Sequence, residues 1–195
     1  MRRMSAAVGL LVTGVGLWTV ASGARPTGAV FADGNDGKVA IRDDCDPNDW
    51  PGPPPGGGCE LEDGDVTVAE FNGELSSPLS LSVIGHQAWR NDPAYLKIEE
   101  GETVKVKNKG GRSHTFTEVA NFGGGRVPPF NQGLDPPPEC LNVPQSPPVA
   151  PGAAVEVTGL GVGNHRFQCC FHPWMRALIK VKAEEEGEEE TEKAN

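Results

Sequence analysis

The segment from 167 to 175 constrains this chain more than any other, because it carries three metal-binding side chains at intervals of three residues. Cys169, His172 and Met175 supply a thiol, an imidazole and a thioether. Alternating apolar residues lead into this segment and leave it over Arg176–Lys182, as in β-strands. The segment is therefore predicted to be a short loop that joins two strands and brings the three side chains together.

Short alternating patterns elsewhere predict further strands. The 26 Gly and 18 Pro are many for a helical protein and favour strands joined by long turns. The predicted strands lie at 66–71, 95–98, 103–108, 113–119, 155–158 and 165–169. Residues 121–152 form a long Gly- and Pro-rich connection, and a loop of that length in a compact domain is functional or specially braced. These patterns predict an all-β fold.

Residues 1–24 are predicted to be a secretory signal peptide. Two arginines precede an apolar run at 6–20, and small residues follow it at 21–24. This apolar run is shorter than the roughly 20 residues that a membrane-spanning helix needs. We therefore expect an exported protein, secreted or periplasmic, with no stable membrane insertion after cleavage.

The rest of the chain divides into three predicted parts. Residues 25–64 are rich in Gly, Pro and Asp without a strand or helix period, and they are predicted to be an extended segment with a loop closed by a Cys45–Cys59 disulfide. Residues 65–182 carry the alternating patterns and are predicted to be the folded domain. Residues 183–195 contain seven Glu and one Lys, which predicts an acidic disordered tail.

The candidate ligands suit copper. An ion that cycles between Cu(I) and Cu(II) favours a soft thiolate, imidazoles and a weak thioether. Cys169, His172 and Met175 supply three of these ligands, and His114, after the Gly110-Gly111 turn, supplies a second imidazole at the start of a predicted strand. The predicted cofactor is one copper ion.

Two other interpretations of these residues remain open at this point. A cysteine and two histidines can also hold zinc, although zinc sites seldom recruit methionine. Alternatively, Cys169 and Met175 fill the core and His172 is an ordinary loop histidine. His165 lies roughly 13 Å along the strand from Cys169 and is not predicted to be a ligand. His86 is predicted to be a surface or structural histidine.

The loop and His114 resemble the cupredoxin family of type 1 (blue) copper proteins, and the pattern Cys169-x-x-His172-Pro173-x-Met175 is most similar to the ligand loop of amicyanin and plastocyanin-type proteins. The resemblance covers residues 95–182. It implies a Greek-key β-sandwich with one type 1 copper at one end and electron transfer outside the cytoplasm. The residue after the first histidine is often Asn in this family and joins the two ligand loops, whereas this chain has Thr115, whose hydroxyl can do similar work.

Strand parity predicts which of two adjacent cysteines is the ligand. Residues on alternate positions point to opposite faces, so Cys169 shares the core face with Phe167 and Cys170 points the other way. Five cysteines leave one unpaired thiol, and an odd cysteine in an exported chain needs a reason. With Cys45–Cys59 paired, the predicted partner of Cys170 is Cys140.

The resulting functional hypothesis is an electron carrier. Pro173 and Trp174 flank His172, so we expect its imidazole edge to be exposed in an apolar patch that docks a transient redox partner protein. The net charge of −10 argues against a nucleic-acid partner, and we expect a monomer. The alternative is a module for copper storage or delivery, or a subunit of a larger exported copper complex. No arrangement of nucleophile, base and oxyanion donors indicates an enzyme.

Overall fold

The computed structural model describes residues 37–50, 64–76 and 89–183. The strands are β1 (Lys38–Asp43), β2 (Trp89–Asp92), β3 (Tyr95–Glu99), β4 (Val104–Asn108), β5 (Thr117–Val119), β6 (Ala154–Val157), β7 (Gly163–Gln168) and β8 (Arg176–Lys182), and the α-helices are α1 (Val68–Leu75) and α2 (Pro138–Leu141). The predicted signal peptide at 1–24, His86, Cys59 and residues 184–195 lie outside the described residues, so the Cys45–Cys59 pairing stays a prediction.

Two four-stranded sheets form the protein. One has the order β2-β1-β4-β6 and the other β3-β8-β7-β5. Strand β1 runs parallel to β4, and β3 runs parallel to β8, while the remaining neighbours are antiparallel. The chain passes from one sheet to the other between β3 and β4, so the two strands predicted around that turn do not form a hairpin. The predicted all-β sandwich is confirmed.

The core lies between the two sheets. In β4, Val104 and Val106 are buried and alternate with exposed Lys105 and Lys107. These valines share one cluster of buried side chains with Ile179 of β8 in the opposite sheet. Because every second side chain points inward, the alternation fills the interior with apolar groups. It also fixes which face of each strand holds the site residues.

Strand β1 corrects the prediction that residues 25–64 lack regular structure. Val39 and Ile41 are buried on alternate positions, and β1 pairs with both β2 and β4. The strand is interior to its sheet, and it ends at Asp43, which is fully buried. A strand that lies before residue 65 thus belongs to the sandwich.

Helix α1 corrects the predicted strand at 66–71. The side chain of Thr67 accepts a hydrogen bond from the backbone N–H of Glu70, and the carboxylate of Glu70 accepts one from the backbone N–H of Thr67. This capping box starts a helix at Val68, because it satisfies N–H groups that the first turn leaves without partners. Only Val66 keeps a strand-like contact, an isolated bridge to Cys45.

The long connection at 121–152 is braced by polar contacts. Gln168 accepts a hydrogen bond from the N–H of Gly123 at 3.0 Å and donates one to the carbonyl of Gly124 at 2.9 Å. The side chain of Asn131 bonds both the N–H and the carbonyl of Gly125. The loop is therefore fixed against β7, in keeping with the expectation that so long a loop needs bracing.

Among the described helices, none is long and apolar enough to span a bilayer.

Candidate metal centre

Three predicted ligands converge at one end of the sandwich. The Sγ atom of Cys169 lies 3.7 Å from Nδ1 of His114 and 3.6 Å from Nδ1 of His172, and the two Nδ1 atoms lie 3.1 Å apart. Donor atoms at these separations fit one shared ion at about 2.0–2.3 Å from each atom. Within the described residues, these three side chains form the one group of histidine, cysteine and acidic ligands that can hold a metal ion.

The loop after β7 is closed by its own backbone. The N–H of Cys169 donates to the carbonyl of Met175, and the N–H of Met175 donates to the carbonyl of His172, each at 2.9 Å. Met175 is fully buried in the same core cluster as Cys169. The guanidinium of Arg176 donates to the carbonyl of Pro173 at 2.8 Å and thereby helps to hold the loop in place. The backbone of Met175 thus lies next to that of Cys169, and its role as the fourth ligand stays a prediction.

Thr115 joins the two ligand segments. Its hydroxyl accepts a hydrogen bond from the N–H of Cys170 at 2.7 Å, and its own N–H points to the Sγ atom of Cys169 at 3.4 Å. The side chain of Thr117 donates to the same hydroxyl at 3.1 Å. Threonine therefore does the linking work expected of it. These bonds also explain why the predicted strand at 113–119 is regular only over Thr117–Val119, since Thr115 bonds the loop instead of a neighbouring strand.

Asp43 orients His114 from the side opposite the cluster. A carboxylate oxygen of Asp43 is hydrogen-bonded to Nε2 of His114, and both side chains are fully buried. The other carboxylate oxygen accepts the backbone N–H of Arg112 at 2.9 Å. A carboxylate on the outer nitrogen of a ligating histidine fixes the tautomer and directs Nδ1 at the metal. Sequence reasoning missed this residue, although the alternation of Val39, Ile41 and Asp43 was a signal for the strand that positions it.

Asn108 shapes the turn before His114. Its side-chain nitrogen donates to the carbonyls of Arg112 and Val149 at 2.7 and 2.8 Å, and its side-chain oxygen accepts the N–H of Gly110. Val149 in turn exchanges two backbone hydrogen bonds with His114. The double-glycine turn noticed in the sequence is therefore held by an asparagine at the end of β4, and it delivers His114 to a fixed position.

The electrostatics favour a thiolate. Burial alone raises the pKa of Cys169, but hydrogen bonds with His114 and His172 outweigh it and hold the pKa of the thiol well below its ordinary value. Burial lowers the pKa of His114, whereas its hydrogen bonds with Asp43 and Cys169 raise it, with a net result of about 9. The thiolate is the form of cysteine that binds metal ions.

Aromatic rings enclose the cluster and correct one prediction. The ring of Trp89 meets that of His172 edge-on at 4.9 Å, and Trp174 packs against Phe71 and Phe130 at 5.8 and 5.3 Å. Trp174 is only 3% exposed, so it is part of the core rather than of a docking surface as predicted. Its position follows from α1 and the 121–152 loop, which supply the rings that cover it. A charge introduced at Trp174 would therefore disturb folding and cannot report on docking.

The predicted Cys140–Cys170 disulfide is present and ties α2 to the residue next to Cys169. Cys170 lies with Cys140 in a second small core cluster, while Cys169 lies with Phe167 in the main core. The parity argument is thus confirmed. His165 lies apart from the cluster, where it pairs with Glu118.

Comparison with known proteins returned solved structures of cupredoxins. A purple cupredoxin from Nitrosopumilus maritimus shares 20% identity, with a TM-score of 0.39 over 75% of this chain and 100% of that one. A reduced amicyanin variant shares 16% identity, with a TM-score of 0.35 over 55% and 89% of the two chains. An oxidised amicyanin variant gives the same values. No protein-family model and no curated protein matches the chain.

Proposed function

We propose that this protein binds one copper ion through His114, Cys169, His172 and Met175 and carries single electrons between partner proteins outside the cytoplasm. The observation that carries the proposal is the convergence of the Cys169 Sγ atom with two imidazole Nδ1 atoms at 3.1–3.7 Å. A thiolate, two imidazoles and a thioether suit copper in both oxidation states, whereas zinc seldom takes a thioether such as that of Met175 as a ligand. Export rests on the predicted signal peptide at 1–24.

The protein's part in electron transfer is to hold the ligands still. When bound, copper would supply the one-electron redox chemistry. Asp43 holds His114, the hydroxyl of Thr115 joins the His114 segment to the loop after Cys169, and the Cys140–Cys170 disulfide braces that loop from outside. Side chains fixed in this way need little rearrangement when the charge of the site changes, which favours rapid electron transfer.

His172 provides the route between the site and solvent. His172 is more buried than the expected exposed imidazole edge, since only 8% of the residue is exposed, whereas His114, Cys169 and Met175 are fully buried. His172 lines a surface cleft together with Phe171 and Val127. An electron therefore has a short path through the imidazole of His172 to a partner that contacts this cleft.

Redox cycling of the copper-loaded protein tests the proposal. We expect an intense visible absorption that bleaches with one electron per copper on addition of ascorbate and returns with ferricyanide over repeated cycles, because the ligands stay in place. We also expect a Cu(I) chelator to remove the metal only slowly. Rapid loss of copper to the chelator would favour copper delivery instead, and failure to bleach would exclude an electron carrier.

A further inference from the structure

We propose that the cleft above His172 docks an electron-transfer protein that presents carboxylates, although this chain is itself strongly acidic. We call this surface the His172 cleft. It has a volume of about 400 Å³ and is lined by Gly111, Arg112, Ser113, Val127, Phe171 and His172. The inference rests on the proposed electron-carrier function and adds the chemical class of the partner.

The charges around the cleft are opposite in sign to the charge of the whole chain. The chain has a formal net charge of −10. The three loops that form and flank the cleft, residues 109–113, 123–130 and 169–175, contain one lysine and two arginines and no Asp or Glu. These loops therefore place positive and no negative side chains around His172, while the carboxylate of Asp43 lies behind them, fully buried and bonded to His114 and to the N–H of Arg112.

Two guanidinium groups lie in these loops without a carboxylate partner. Arg112 is exposed in the wall of the cleft. The guanidinium of Arg126 is partly buried, lies 5.5 Å from the centre of the Phe171 ring, and donates to the carbonyl of Cys140 and to the carbonyl and hydroxyl of Ser146, which hold it in place. Among the described residues, neither arginine side chain forms an ion pair with an acidic side chain. Arg112 therefore remains open to an acidic partner, and the fixed guanidinium of Arg126 adds a second positive charge beside Phe171.

The remaining wall of the cleft is partly apolar, because Val127 and Phe171 lie there together with Gly111 and Ser113. Val127 and the ring of Phe171 are partly exposed beside His172. Apolar contact at the centre allows close approach, while charges at the rim steer the encounter and set its specificity. At physiological ionic strength the Debye length is about 8 Å, so the nearby arginines outweigh the distant acidic groups once the partner is close. The structure thus fits weak, fast and salt-sensitive docking of a protein with acidic groups around its own cofactor.

Binding of two haem proteins of opposite charge tests this inference. The isotope-labelled, Cu(I)-loaded protein is titrated with acidic cytochrome b5 and, separately, with basic cytochrome c, and binding is followed by NMR. We expect cytochrome b5 to shift the signals of Gly111, Ser113 and Phe171 and to be displaced by salt. Arg112→Glu should weaken its binding by about tenfold or more, since a favourable rim charge becomes a repulsive one. Lys180→Glu makes the same charge change on an exposed position of β8 and should alter binding by less than about twofold.

Four results would overturn the inference. Cytochrome c could shift the cleft signals instead, or cytochrome b5 could shift signals elsewhere on the surface. Binding of cytochrome b5 that arises only when residues 184–195 are removed would make the chain's own acidic segment the occupant. NMR signals of the cleft residues that move when the protein alone is diluted would show that the occupant is a second copy of this chain. Docking and redox activity are measured independently, because the same titration can be made with the metal-free protein. If docking fails, the redox cycle still tests the proposed function. If the redox cycle fails, the binding shifts still test the docking site.

Discussion

Replacement of Cys169 by serine is expected to abolish the intense visible absorption of the Cu(II)-loaded protein. That absorption would arise from charge transfer from the Cys169 thiolate to Cu(II), and a serine oxygen has no comparable transition. The Cys169→Ser variant should also bind Cu(I) far more weakly, because soft ligands select that ion. Optical titration with Cu(II) and a competition assay for Cu(I) measure both effects.

The matched control is the double variant Cys140→Ser/Cys170→Ser. It removes the sulfur atoms adjacent to the site without touching the proposed ligand and leaves no stray thiol. We expect it to keep the visible absorption while losing about 2–4 kcal/mol of unfolding free energy with the disulfide. Loss of the colour in the double variant together with its retention in Cys169→Ser would show that the ligand is assigned to the wrong cysteine.

Replacement of Asp43 by alanine is expected to lower copper affinity by about 10- to 100-fold, the usual effect of removing a carboxylate that orients a ligating histidine. Without this carboxylate, the ring of His114 loses its only described side-chain partner on the Nε2 side. The reduction potential should rise, because a buried negative charge favours Cu(II) over Cu(I). Copper competition assays and voltammetry measure the two effects.

Two further variants separate orientation from charge at this position. Asp43→Asn keeps a hydrogen-bond acceptor for His114 but removes the charge, so it should restore most of the affinity while the potential stays raised. Asp44→Ala removes the neighbouring carboxylate, which pairs with Arg42 and Arg90 instead of a ligand, and should lower stability without moving the potential. Equal losses of affinity in Asp43→Ala and Asp44→Ala would contradict a positioning role for Asp43.

The parts of the site that depend on local sequence could be predicted. Cys169, His172 and Met175 lie within one short loop, so their spacing alone predicted that they meet, and the structure brings the side chains of Cys169 and His172 together. Parity along β7 separated Cys169 from Cys170 because neighbouring strand residues point to opposite faces. His114 required a longer inference, which the turn before it supported.

The parts that depend on packing could not be predicted in this way. Asp43 lies 71 residues from His114 in sequence, and only the parallel pairing of β1 with β4 brings the two together. The alternation of apolar residues in β1 is short, and it was not recognised as a strand because the sequence around it is rich in Asp and Pro. Trp174 looked like a surface residue because the rings that bury it come from distant elements, including Phe71 of a helix that its capping box, rather than its apolar pattern, specifies.

The copper-edge X-ray absorption spectrum of the loaded protein tests the central claim most directly, since it reports the atoms bound to the metal without relying on colour or activity. The account predicts one short copper–sulfur distance and two imidazole nitrogens in the Cu(II) protein, with little change in these distances on reduction. A spectrum with only nitrogen and oxygen neighbours, or one that loses an imidazole on reduction, would contradict it.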